Sequence, residues 1–146
     1  MDEKSCIYYG KVDGPLAQIA DIIFVGFWVY KGSCAEGIKQ YFKTLQNKKI
    51  VLFGTAGFGG SEDYYETIIQ EVKQLVPKSN IIIDSFMCQG KMPQNVFERY
   101  EKLLKAQPEN SNILNMIFNY KSALSHPDKH DIEAAKTFAR SIIHRA

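Results

Sequence analysis

Cysteine is scarce in this chain and unpatterned. Cys6, Cys34 and Cys88 are an odd number with no CxxC spacing and no histidine cluster beside them, which argues against a disulfide framework or a zinc site and points to free thiols in a reducing compartment. Long hydrophobic runs are absent, and the opening residues Met1 to Lys4 (MDEK) are too polar to begin a signal peptide, so no membrane role is expected and a cytoplasmic location is. Charge of one sign is lacking as well. With 18 basic and 16 acidic side chains the formal net charge is +2, which gives no electrostatic footprint for nucleic acid. Lys48, Lys49, Arg140 and Arg145 read as isolated, solvated cations. There is no internal repeat, low-complexity tract or linker.

What is present is an ordinary globular composition, 146 residues with 45% hydrophobic and 23% charged, enough for one domain spanning residues 1–146 and a sizeable core. Short β-rich apolar runs alternate with segments of helical period, the pattern of βαβ units around a parallel sheet covered on both faces. The expected strands are Cys6–Gly10, Asp21–Phe27, Ile50–Thr55 and Ile81–Cys88. The second and third are almost continuously apolar, as central parallel strands are. Ile38, Tyr41, Phe42 and Leu45 recur at helical spacing. So do Tyr65, Ile68, Ile69, Val72, Leu75 and Val76, with Pro77 as the stop. The last third reads as helix throughout. One stripe runs from Val96 to Leu104 and a second from Ile113 to Leu124, with Pro108 in the break between them. A final helix has Ser125 or Asp128 as its cap and Asp131 in its first turn.

Two loops at the carboxyl edge of such a sheet draw attention, because ligands of open parallel sheets sit there. They are GFWVYKGS, Gly26 to Ser33, and GTAGFGGS, Gly54 to Ser61. A phosphate loop requires a Gly-Lys-Ser/Thr ending, and the dinucleotide fingerprint requires GxGxxG after the first strand. Neither occurs. A flat conjugated ring asks instead for an aromatic wall and open backbone groups at its polar edge. Trp28 and Tyr30 in one loop, and Phe58 and Tyr64 beside the other, are of the right type for the wall. The competing structural reading makes the glycines simple turns and Trp28 a core residue.

At these residues the sequence resembles flavodoxin-like proteins. The stretch from Asp21 to Ile68 is similar to the third and fourth βα units of that family, whose two loops clasp the isoalloxazine of FMN. The ending SHPDKHDIEAAKTFARSI is similar to its final helix, and FMCQGKMP resembles the fifth-strand segment of a short subgroup. The resemblance implies an α/β flavodoxin-like fold, a parallel sheet with helices on both faces. It also implies electron transfer through FMN in concert with a redox partner protein. It places Phe27, Trp28, Val29 and Tyr30 in one ring loop and Thr55, Ala56, Gly57, Phe58, Gly59 and Gly60 in the other, with Tyr64 at the ring edge. Trp28 or Tyr30 would be the stacking wall, and backbone groups around Gly57 would meet the ring's polar edge.

The chain departs from the family at its start. The family opens with a strand, a hydroxyl-rich glycine loop that holds the FMN phosphate, and a helix. Nothing before Asp21 resembles that unit, and SCIYYGKV reads as the family's second strand. The N-terminal strand-loop-helix unit is therefore expected to be missing. Either the chain is a fragment, or another chain, such as a second copy in a homo-oligomer, completes the sheet, or Cys6–Gly10 pairs directly with Asp21–Phe27. FMN binding is expected to be weak or absent without the phosphate loop. The near-neutral charge also departs from the acidic surface typical of the family. Two further functions stay open, a flavin-dependent reductase of a small substrate such as a quinone and a cofactor-free binding module of the same fold. His126 and His130 with Asp128 between them read as a helix start rather than a metal face. Cys88 reads as a small buried hydrophobe and Asp84 as a polar residue at a strand edge.

Overall fold

The computed structural model describes residues 6–12, 14–59 and 61–145. A short helix, α1 (Gly14–Ala17), is followed by β1 (Ile22–Trp28), α2 (Glu36–Thr44), β2 (Lys49–Ala56), α3 (Glu62–Lys73) and β3 (Ile81–Gln89), after which α4 (Gln94–Ala106), α5 (Ser111–Ala123) and α6 (Lys129–Arg145) complete the chain. The strands form a parallel sheet in the order β1-β2-β3.

Strand alternation sorts the sheet's residues onto two faces. One face carries the rows Ile23, Ile50, Ile82 and Val25, Leu52, Ser85, then Phe27, Gly54, Met87. Phe42 and Leu45 at the end of α2, with Ile68, Ile69 and Val72 of α3, are buried in one cluster with Ile23, Val25, Phe27, Ile50 and Leu52. Full burial of side chains of this size stabilises the fold by about 1.5–3 kcal/mol each. The helices start where local chemistry lets them. Ser61 Oγ accepts the Tyr64 N–H at 3.3 Å, and Glu62 and Asp63 fill the first turn of α3, placing acceptors and negative charge at its positive end.

The other face carries Phe24, Val51, Asp84, then Gly26, Phe53, Phe86, then Trp28, Thr55, Cys88. Its β3 side is covered by α6, whose Phe138 stacks on Phe86 with ring centroids 5.5 Å apart and whose Ile142 is fully buried. Toward β1 the same face is open. Phe53, on the central strand, remains 42% exposed, with its ring lying over Gly26 where a Cβ would stand 2.6 Å from it.

Three expectations are corrected. Cys6–Gly10 forms no strand. Ile7, Tyr8 and Tyr9 are exposed, and Tyr8 Oη closes a local bond to the Lys11 carbonyl at 2.8 Å. A β segment without a partner ladder has nothing to hold it extended, and β1 pairs with β2 alone among the described residues. For the same reason β1, expected to be central, is an edge of the described sheet. The cations read as solvated are partly engaged. Lys48 Nζ donates to the Gln18 carbonyl at 2.6 Å, and Arg145 Nη2 meets Asp84 Oδ2 at 2.8 Å.

Candidate functional site

The carboxyl ends of β1 and β2 deliver the two loops side by side. Trp28 stands opposite Thr55 in the ladder, and the Val29 N–H continues it by donating to the Thr55 carbonyl at 2.9 Å. The first loop then turns back on itself. Tyr30 and Ser33 exchange backbone hydrogen bonds of 2.8 and 3.1 Å around Lys31 and Gly32, both of positive φ, the conformation a two-residue turn of this hand demands and Gly32 makes easy. Lys31 Nζ lies 5.4 Å from the centre of the Tyr30 ring.

The aromatic residues divide by environment. Trp28 is 64% exposed and Tyr30 54%, so neither is a core side chain. Phe27 is buried in the sheet core, so it can offer a ligand only its backbone, and the partly buried Val29 packs against the same core. Phe58 is partly exposed and meets Tyr64 edge-on at 6.3 Å, while Tyr64 itself is half-buried. Ala56 is buried, and Gly60 lies outside the described residues.

The glycine loop is held from below by residues the sequence reading did not single out. The Gly57 carbonyl accepts Asn119 Nδ2 at 3.0 Å and Gln89 Nε2 at 3.1 Å, and Asn119 Oδ1 accepts the Gly59 N–H at 3.4 Å. Gln89 ends β3 and is buried, whereas Asn119 sits on α5. Both glycines are needed for contact. A Cβ on Gly57 would stand 2.2 Å from Met92 Cγ, and one on Gly59 would stand 2.4 Å from Gln89 Cδ. The available signal was the pair of amide side chains inside apolar stripes, since a half-buried amide must find partners. The N–H groups of Gly57 and Phe58 have no backbone acceptor among the described residues.

The arrangement presents an exposed indole and phenol on one loop, and on the next a partly exposed phenyl ring and two N–H groups without a backbone acceptor among the described residues. That donor set suits a planar ring with acceptor atoms along one edge. Ser61 Oγ, at the end of the second loop, accepts the Tyr64 N–H as the cap of α3. Concavities of about 580 Å³, between Ala20–Ile22 and Asn47–Lys49, and about 480 Å³, along Gln107–Asn110, lie away from these loops.

The remaining chemistry-bearing groups are structural. Asp128 Oδ1 accepts the N–H groups of His130 and Asp131 at 2.7 and 3.0 Å, and Asp131 Oδ2 reaches back to the Asp128 N–H at 2.8 Å and to His126 Nδ1 at 2.6 Å. These reciprocal bonds start α6, so Asp128, rather than Ser125, is the cap. His126, Asp128 and Asp131 bring ligand-type atoms within 4.8 Å of one another, and N–H groups at the helix start engage one oxygen of each carboxylate. All three cysteines are free thiols, with Cys34 buried and Cys6 exposed. Burial, with the nearby carboxylates of Asp131 and Asp128, pushes the Cys88 thiol up to about 11.

A parallel α/β sheet flanked by helices, with two loops side by side at its carboxyl edge, defines the class as an open-sheet α/β protein. The particular family follows from comparison. The flavodoxin domain model matches residues 1–140, and the chain belongs to that family. It is 42% identical over 151 aligned positions to the flavodoxin-like domain-containing protein BilS of Clostridium symbiosum (strain WAL-14163), covering 94% of this chain and 80% of that protein. The protein of the same name from Clostridioides difficile (strain CD3) is 39% identical over 126 positions, covering 86% and 72%. An uncharacterized protein of Methanocaldococcus jannaschii is 26% identical over 146 positions, covering 97% and 83%. Among the described residues no helix is long and apolar enough to cross a membrane.

Proposed function

We propose that the two strand-end loops bind the isoalloxazine ring of a flavin and that the protein carries electrons to or from a redox partner protein. The observation that supports this is the exposure of Trp28 beside a loop whose Gly57 and Phe58 N–H groups have no backbone acceptor among the described residues, with the two loops tied together through Val29 and Thr55. Membership of the flavodoxin family supports the same reading. A flavin, when bound, supplies reversible electron uptake at its ring. Trp28 and Tyr30 supply stacking surface and limit water on one side. The N–H groups of Gly57 and Phe58 orient the polar edge, and the Val29–Thr55 bond fixes the distance between the loops.

FMN also carries a phosphate, and neither loop has the Gly-Lys-Ser/Thr ending of a phosphate loop. Each charge-assisted hydrogen bond forgone costs about 1.5–3 kcal/mol, so the 146-residue chain binds riboflavin and FMN with similar, modest affinity. The test is titration of both flavins, read by quenching of Trp28, the chain's single tryptophan, and by calorimetry for Trp28→Ala. Loss of riboflavin affinity in Trp28→Ala supports the site. Tight binding dependent on the phosphate, or affinity unchanged by the substitution, overturns it.

A further inference from the structure

We infer that the free edge of β1 is a self-association surface, on which a second copy of this chain lays its own β1 antiparallel about a two-fold axis at Val25, joining the two sheets into one. This rests on no reading of the ligand. β1 runs Ile22–Trp28 as IIFVGFW, without a charge or a proline, and pairs with β2 without a break in register. The Val29 N–H turns inward to the Thr55 carbonyl. By alternation, the N–H and C=O groups of Ile22, Phe24, Gly26 and Trp28 face the other way, along the edge. No strand among the described residues takes them up. Protein edges are ordinarily blunted by a lysine, a proline, a bulge or short length. This edge has none of these over its 7 residues.

Charge favours a copy running the opposite way. The nearest charged residues in sequence are Asp21 before β1 and Lys31 after it. Antiparallel pairing sets Asp21 of each copy at the same end as Lys31 of the other, whereas parallel pairing brings like charges together. Register follows from length. Only with Ile22 opposite Trp28 does the whole strand pair, and that puts Val25 opposite Val25 at the axis. The edge is self-complementary in this register. Phe24 comes opposite Gly26 of the other copy, which has no side chain to obstruct it, and meets the 42% exposed ring of Phe53 that lies over that glycine. Ile22 comes opposite Trp28, whose indole is exposed in the single chain. Each copy thus supplies an apolar neighbour to the exposed aromatic of the other's first loop.

The experiment measures the mass of the full chain across a dilution series by sedimentation velocity, for wild type, Phe24→Lys and Phe24→Pro. The proline removes one edge N–H and leaves the ladder to β2 intact, and the lysine places a charge in the seam. The expected result is a dimer in the wild type, with a dissociation constant raised about tenfold or more in both variants. A monomeric wild type, or a dimer that both variants leave unchanged, overturns the inference. A second pair of variants reads the register in a chain whose exposed Cys6 is replaced by serine. Val25→Cys puts two thiols on Cα atoms about 4.5 Å apart across the axis, within the span of a disulfide. Ile23→Cys, buried on the same strand, puts each thiol opposite Phe27 instead. Mild oxidation should link Val25→Cys into a covalent dimer and leave Ile23→Cys unlinked, and any other pattern overturns the inference. Amide exchange needs no variant. Protection of the Phe24 and Gly26 N–H groups that grows with protein concentration supports self-association, whereas protection that is the same at every concentration gives the edge to a segment of the same chain and overturns it.

Discussion

Met92 lies over Gly57 so closely that a Cβ at position 57 would stand 2.2 Å from its Cγ and 2.6 Å from its sulfur. Position 57 is thus closed from the side of the α4 entrance, and glycine is there for packing as much as for ligand approach. Gly57→Ala should destabilise the fold by about 1–3 kcal/mol, as overpacking does. Met92→Ala should recover a large part of that loss in the double variant, because the thioether is the obstacle. Urea unfolding of the four proteins measures the coupling, and strict additivity would show that Met92 is not the cause.

The three thiols should separate by reactivity in the folded protein. Cys6 is exposed and Cys34 is buried, and burial raises the Cys34 thiol despite its bond to Ser33. With Cys88 near 11 for the reasons of burial and the α6 carboxylates, roughly one thiol in ten thousand is thiolate there at pH 7. Alkylation at pH 7 followed by peptide mapping should label Cys6 first, and Cys88 labelling should climb about tenfold per pH unit through the alkaline range. Rapid labelling of Cys88 at pH 7 would contradict its assigned surroundings.

Much of the fold was legible because burial leaves a period behind. Phe42 and Leu45, and Ile68, Ile69 and Val72, were expected on buried stripes and are among the core residues. Strand position in the sheet was not legible in the same way. Ile22–Trp28 is as apolar as a central strand, yet no second neighbour pairs with it among the described residues, and composition cannot report a missing neighbour. At the candidate site, the exposure of Trp28 rules out its reading as a core side chain. What supports the glycine loop stayed hidden in part, because Gln89 and Asn119 reach it across long stretches of chain with no spacing rule to announce them.

Acid sensitivity should appear at the sheet edge. Burial alone would raise the Asp84 carboxyl, but its bonds to the Arg145 guanidinium and the Ser85 N–H hold it below the usual range. A group depressed in the folded state stabilises above its unfolded value, about 3.9, and that contribution is lost as pH falls through the folded value. The pair is partly exposed, so Asp84→Asn should cost no more than about 1 kcal/mol at pH 7. The difference between wild type and variant should shrink below pH 4 and in high salt. A gap that persists at pH 2 would assign the effect to packing instead.

The start of α6 gives the last prediction. The Asp131 carboxylate makes two bonds at once, accepting the Asp128 N–H and meeting His126 Nδ1, while its backbone N–H donates to Asp128 Oδ1. Asp131→Ala should therefore destabilise by roughly 0.5–2 kcal/mol, the range for loss of a helix cap, and should loosen the helix that covers Phe86 and Cys88. Loosening has its own signature, since water reaching the sheet beneath would raise the alkylation rate of Cys88. The same geometry predicts no gain from divalent metal. Zinc bound through Asp128 Oδ1 or Asp131 Oδ2 would compete with their bonds to the N–H groups of residues 128, 130 and 131, and three protein ligands fall short of the four of a structural zinc site. Thermal unfolding with and without excess zinc should give the same midpoint for the wild type. A zinc-dependent rise that disappears in Asp131→Ala would instead make these three residues a metal site.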